Sequence, residues 1–227
     1  MSSKYEDIKE KISGRLPSEI VNINYNGIES KEYKRRSFIR TIPIAIGIPL
    51  DEVMFSKFFA NYTQLNIMPW DDIFTTQNTL VGRARNTIHN MFLESSNAPY
   101  LFMLDSDVLP PPDSIETLIS HNLPIVGGYY RNKENLNPVV FDYDSEVDGH
   151  KMYRYRLEPG TGIESVDAMG AGFWLIKREV AESVGKSPYS FEEGGEDMDF
   201  CRKVIKAGYK IYADWDLSAG HAGIASI

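Results

Sequence analysis

The chain has 227 residues, enough for one sizeable domain with a small appendage. Hydrophobic residues make up 42% and charged residues 25%, a globular balance that excludes wholesale disorder. The formal net charge of −8 argues against a nucleic-acid partner, which needs a basic face. The single cysteine, Cys201, excludes an intramolecular disulfide framework and any multi-cysteine metal centre, and fits a reducing compartment.

Met1 to Lys11 is polar and charged, without the apolar stretch of a secretory signal. No run approaches the roughly 18 apolar residues of a transmembrane helix, so a cytoplasmic location is expected. Residues 1–40 read as an N-terminal arm or short helical extension, with a short helix expected over Tyr5 to Ile12. The basic run Lys31 to Arg40 reads as a solvated face of that arm.

From residue 41 to 227 the text is that of an α/β domain. Ile42 to Ile48 is a compact apolar run bounded by Pro49 and Asp51, as in a buried strand. A helix is expected over Glu52 to Tyr62. Leu65 to Phe74, broken by Pro69, is ambiguous. Leu80 to Ser95 is the clearest helix, with Leu80, Ala84, Ile88, Met91 and Ser95 on one face and Val81 and Phe92 beside them. Arg85 and Asn86 lie off that stripe. Tyr100 to Leu104 is apolar throughout, as a central parallel strand should be.

A further helix is expected from Asp113 or Ser114, with Ile115, Leu118 and Ile119 inward. Ile125 and Val126 then lead into Gly127 and Gly128. Tyr129 to Glu164 reads as short strands and loops, and Val166 to Lys177 as a glycine-interrupted strand pair. Glu196 to Ala207 forms a helix capped by Gly208, and Ile211 to Ala213 a last strand. The alternation of strands and helices implies a mainly parallel sheet.

Asp105-Ser106-Asp107 directly follows the apolar strand. Ligands of open α/β sheets bind beyond the carboxyl ends of the strands. Two acids placed there can share a divalent cation with a phosphorylated ligand, or can simply shape a turn. On the helix from Glu196, Asp197 is in phase with the inward stripe of Phe200, Cys201, Val204 and Ile205. Asp199, Arg202, Lys203 and Lys206 face outward. Asp197 therefore either satisfies free N–H groups at the helix start or acts as a base at the mouth of a site. His221, flanked by small residues, is a structural imidazole or a further ligand.

Taken in order, these segments resemble a GT-A glycosyltransferase of the family-2-like, nucleotide-sugar-dependent type. The parts are IPIAIGIP, the segment Arg83-Ala84-Arg85-Asn86, the DxD acids of LFMLDSDV, the stretch from Gly170, the Glu196-Asp197 pair and the late His221. The resemblance runs from about Thr41 to Gly223. It implies a GT-A (Rossmann-like) sheet flanked by helices, with a smaller mixed sheet on the acceptor side.

The resemblance also implies roles. Pro49 and Asp51 would sit by the nucleotide base, and Arg85 and Asn86 by the donor, with the Arg85 fork suited to a diphosphate. Asp105 would approach the ribose or reach a Mn²⁺ or Mg²⁺ ion through water. Asp107 and His221 would bind the ion. Gly170, Ala171, Gly172 and Trp174, with Glu196, would line the sugar or acceptor pocket, Trp174 being equally suited to the core. Asp197 would deprotonate the acceptor hydroxyl.

The implied reaction moves a sugar from a nucleoside-diphosphate sugar, UDP favoured, to a glycan or other hydroxyl acceptor, with inversion. The oligomeric state is left open. The rival readings are a haloacid dehalogenase-type phosphohydrolase, in which Asp105 would be the nucleophile, a non-catalytic nucleotide- or glycan-binding domain, and a nucleotidyltransferase. The last lacks the glycine-rich phosphate loop with its lysine.

Overall fold

The computed structural model describes residues 40–50, 54–147, 150–192 and 194–223, all within one unit of residues 40–227. The expected helix at Tyr5 to Ile12, the basic run up to Ile39, and Asp51 lie outside the described residues.

In chain order the elements are β1 (Ala45–Leu50), α1 (Ser56–Tyr62), β2 (Asp72–Gln77), α2 (Val81–Ser95), β3 (Tyr100–Leu104), β4 (Val108–Leu109), α3 (Ser114–Ser120), β5 (Ile125–Tyr129), β6 (Val140–Val147), β7 (His150–Tyr155), β8 (Ile163–Val166), β9 (Ala168–Met169), β10 (Phe173–Lys177), α4 (Arg178–Ser183), α5 (Glu196–Lys206), β11 (Ile211–Ser218) and β12 (Gly220–His221). β1, β3, β5 and β10 and the helices α1, α2, α3 and α5 fall within or close to the expected segments, while α4 is an element that the sequence reading does not include. β2 is the resolution of the ambiguous stretch: it starts after Pro69 and pairs with β1 in parallel.

The central seven-stranded sheet has the order β2-β1-β3-β10-β5-β11-β8. β2, β1, β3, β5 and β11 run one way; β10 and β8 run against them. Two further sheets are antiparallel: β7-β6-β9, and the two-stranded β12-β4.

Period-two alternation divides the core across the sheet. Leu101, Met103, Trp174 and Ile176 face one cluster, joined by Ile88 and Phe92 of α2 and Phe200 and Val204 of α5. Phe102, Leu104, Phe173 and Leu175 face the other, joined by Phe58 of α1 and Ile115 and Leu118 of α3. Because both faces of β3 and β10 are covered, β3 is apolar throughout and β10 is apolar up to its last residue, Lys177.

Two helical stripes differ from expectation. On α2, Leu80 is 67% exposed, and the buried side runs through Ala84, Arg85, Ile88, His89 and Phe92. On α5, Asp199 is buried and Ile205 is exposed. Asp199 points inward because it accepts hydrogen bonds from the Ser190 hydroxyl (2.7 Å) and the Glu192 N–H (2.7 Å), tying the preceding loop to the helix.

Arg40, the end of the basic run, is not solvated. It is 7% exposed and forms a two-pronged ion pair with Asp71 (2.6 and 2.8 Å). Asp71 also accepts the N–H groups of Ile44 and Met68, so the pair pins the entry to β1 against the turn before β2. Removing one partner of a buried ion pair strands the other charge. Arg40→Ala is therefore expected to cost about 3–5 kcal/mol of stability, as measured by denaturant unfolding.

Candidate functional site

The strand directions gather the candidate residues. Leu50, Leu104, Tyr129 and Ser218 end strands that all point to the same sheet edge. The acids 105 and 107 follow β3, the loop 130–138 follows β5, and β12 follows β11. β12 pairs with β4 so that His221 stands opposite Val108, and the Ala222 N–H donates to the Asp107 carbonyl (2.7 Å). That short ladder brings a histidine from the end of the chain beside the carboxylate pair.

Arg85 is the hub. It is 3% exposed, one turn into α2. One terminal nitrogen donates to both Asp105 oxygens (2.8 and 2.7 Å). The other donates to Glu196 (2.5 Å) and Asp197 (2.9 Å) in the first turn of α5. The planar fork thus joins three carboxylates from two elements. Burial alone would lower the Arg85 pKa; the charges of Asp105, Asp197 and Glu196 outweigh it and hold it well above the ordinary value.

Where the resemblance implies a diphosphate contact, the terminal nitrogens of Arg85 are taken up by protein carboxylates. Asn86, expected beside the donor, is likewise engaged within the protein. Its side chain pairs with the backbone of Tyr189, donating to the carbonyl (2.6 Å) and accepting from the N–H (2.9 Å).

The Asp197 carboxyl is pushed up to about 6, by burial first, with Glu196 and Asp105 adding repulsion and Arg85 opposing. The Ala171 backbone hydrogen-bonds to it. The segment Gly170 to Trp174 lies beneath the site rather than along an open pocket. Trp174 is fully buried and packs on Phe200 at 5.0 Å, so it takes the core place of its two options. Gly172 allows a close approach: a Cβ there would meet Asp105 Oδ2 at 2.6 Å and the Tyr130 hydroxyl at 2.7 Å. Tyr130 itself accepts from the Gly172 N–H (3.3 Å). Burial, then the charges of Asp105 and Asp197, hold its phenol well above the usual value and so protonated.

Asp107 is separate from this cluster. Its Oδ2 accepts from Lys133 (2.5 Å) and lies 3.4 Å from His221 Nε2. Burial alone would raise its carboxyl; hydrogen bonds and charge from His221 and Lys133 outweigh that and hold it below the ordinary value. His221 Nδ1 sits 2.8 Å from the Arg131 carbonyl, which only accepts, so Nδ1 carries the hydrogen. Nε2 is then the ring atom facing Asp107, a donor to its carboxylate when the ring is protonated and a free lone pair when it is neutral. Among the described residues, no group of three His, Cys, Asp or Glu side chains is gathered to hold a metal.

Two clefts are lined by carboxylates that Arg85 bonds. One, of about 160 Å³, is lined by Pro49, Leu50, Thr79, Asp105, Ser106 and Asp107. The other, of about 730 Å³, has Phe141, Tyr153 and Tyr155 from β6 and β7 on one wall and Glu196 and Asp197 on the other. Asp105 lines the first and Asp197 the second, and both bond the same guanidinium. The aromatic wall was not legible beforehand; its only signal was the Tyr-rich composition of 129–164.

No protein-family model and no curated protein sequence matches the chain. Among solved structures it is similar to "A197 from STIV" at a TM-score of 0.58 and 22% identity, covering 79% of this chain and 85% of that one. It is also similar to GalNAc-T7, crystallised with UDP, GalNAc and Mn²⁺, at a TM-score of 0.54 and 12% identity. That match covers 80% of this chain but 44% of the other. These likenesses establish a GT-A-like fold: a mainly parallel central sheet flanked by helices, with smaller antiparallel sheets. Among the described residues no helix is long and apolar enough to cross a membrane.

Loss of the hub would leave three carboxylates without their cation. Arg85→Ala is expected to cost about 3–5 kcal/mol near neutral pH. The deficit should shrink as the pH is lowered towards about 5, because acids whose folded pKa is raised bind protons more tightly in the native state. Urea unfolding at several pH values measures both effects.

Proposed function

We propose that the protein is a glycosyltransferase that moves a sugar from a nucleoside-diphosphate sugar to a hydroxyl acceptor, assisted by a divalent cation and inverting the anomeric centre. The observation that carries this reading is that Arg85 bonds carboxylates of two clefts, Asp105, which with Asp107 lines one, and Asp197, which lines the other.

The smaller cleft suits the donor. Pro49 and Leu50 offer an apolar edge to a base, and Asp107 lies at the far end where the diphosphate would reach. UDP is favoured by the resemblance and by its presence in the GalNAc-T7 structure.

The donor set fits a hard divalent cation that keeps several non-protein ligands. Asp107 and His221 offer one carboxylate oxygen and one ring nitrogen, and diphosphate oxygens with water would complete the shell. Asp105 has both oxygens on Arg85, so a water-mediated role suits it better than direct ligation. When bound, a Mn²⁺ or Mg²⁺ ion would offset the negative charge developing on the leaving diphosphate.

The larger cleft suits the acceptor. Phe141, Tyr153 and Tyr155 present faces on which the C–H side of a sugar ring can stack, while Glu192 and Glu196 are placed to accept from hydroxyls. Asp197 stands on its wall and takes the proton of the attacking hydroxyl. Its raised pKa makes it a stronger base than an ordinary aspartate. Arg85 keeps it aimed while keeping it ionised. The phosphohydrolase alternative fares worse, since a nucleophilic Asp105 would have to attack with both oxygens already engaged by Arg85.

Asp197→Asn should spare nucleotide binding and cut transfer by about 10²–10⁴-fold, the usual worth of a positioned base. Sugar transfer from UDP-sugars to a panel of glycan acceptors measures it, and near-normal turnover would remove the assignment. In the unaltered enzyme, kcat/KM should rise with pH through a midpoint near 6, because the base must shed its proton. A profile flat across that range would contradict the base role.

A further inference from the structure

The ammonium of Lys133 lies on the carboxylate oxygen that the proposed cation would need. Its Nζ is 2.5 Å from Asp107 Oδ2, the same atom that lies 3.4 Å from His221 Nε2. This is more than a surface lysine that happens to meet an acid. Lys133 sits in a turn closed on itself: Asn132 Oδ1 accepts from the Glu134 N–H (2.8 Å), the Leu136 N–H donates to the Asn132 carbonyl (3.1 Å), and Arg131 donates to the Leu136 carbonyl (2.7 Å). The base of that turn also supplies the Arg131 carbonyl that orients His221. The lysine stem passes the open face of Gly223, where an added Cβ would lie 3.8–3.9 Å from it, and the ammonium stands 5.6 Å from the centre of the Phe55 ring. The turn, the stem and the ring together aim the charge at Asp107.

Both acids of the Asp105–Asp107 pair are thus matched by a cationic side chain of the protein itself. The two matches differ in kind. Arg85 is 3% exposed and spread over three carboxylates, so it stays. Lys133 is 37% exposed, pairs among the described residues with Asp107 alone, and hangs on a flexible four-carbon stem, so it can leave.

We infer that Lys133 competes with the divalent cation for Asp107, so that the cation enters together with the nucleoside diphosphate rather than before it. This rests on the donor-site reading above. A cation arriving alone must separate the ammonium from the carboxylate it holds. A cation arriving with a diphosphate brings the phosphate oxygens to which the displaced ammonium can turn. Lys133 would then contribute a second positive charge beside the leaving group, and would bar unproductive metal loading between turnovers.

The test is Mn²⁺ binding, read by the electron paramagnetic resonance signal of free Mn²⁺, with and without UDP. The proteins are the wild type, Lys133→Met, Lys133→Ala and Asp107→Asn, each checked for an unchanged circular dichroism spectrum. Lys133→Met and Lys133→Ala should bind Mn²⁺ in the absence of UDP more tightly than wild type, on the order of fivefold, the scale of a partly exposed ion pair. They should also show a smaller gain on adding UDP. Unchanged or weaker nucleotide-free binding in both lysine variants, with Asp107→Asn losing the ion, would overturn the lysine inference alone. Mn²⁺ binding unaffected by Asp107→Asn, or absent from wild type and lysine variants alike even with UDP, would overturn the donor-site reading and this inference together.

Discussion

One guanidinium sets the geometry of this molecule. Arg85, nearly fully buried, holds Asp105 at the end of β3 and Glu196 and Asp197 at the start of α5. Several charges withdrawn from water are costly unless their hydrogen-bonding capacity is met. Here the fork meets it with parallel bonds that a lysine could not supply. The consequence is positional. The first turn of α5 is fixed against the edge of the central sheet, and a carboxylate with a raised pKa is kept on the wall of the larger cleft. With α5 free to slide, the larger cleft would lose the wall that Glu196, Asp197 and Met198 give it.

The sheet explains why the hub is where it is. Five strand ends of the central sheet converge with the start of β10, and the segment Gly170 to Gly172 carries the chain from β9 of the small sheet into β10. Gly172 leaves room for Asp105 and Tyr130 at distances a side chain would occupy. The antiparallel β10 therefore delivers backbone, not side chain, beneath the acids. On the other flank, the β12-β4 ladder returns the chain end to Asp107. Two carboxylates one residue apart are thus served by separate structures. Asp105 is paired with a buried arginine and Asp107 with a partly exposed lysine.

Much of this was legible in local patterns. An all-apolar β3 followed by two acids announces a buried strand opening on a site, and the phase of Asp197 on α5 separates it from the outward Lys206. What was not legible is long-range. Arg85 reads as a flank residue because an arginine on a helix is normally solvated, and its partners lie 20, 111 and 112 residues away. Arg40 and Asp71, 31 residues apart, escape for the same reason. Asp199 was misplaced because the loop before α5 offers it buried donors, which helical phase does not encode. The aromatic wall of the larger cleft comes from strands whose alternation is interrupted by charge and by an irregular register between Tyr143 and Ser145.

The most direct measurement is a crystal structure after soaking with Mn²⁺ and UDP, with the ion located by anomalous scattering. The account predicts a single strong peak between Asp107 and His221, in contact with the diphosphate, and Arg85 still engaged with Asp105 and Asp197. A peak elsewhere on the protein, or an Arg85 released from its carboxylates to grip the diphosphate, would contradict it.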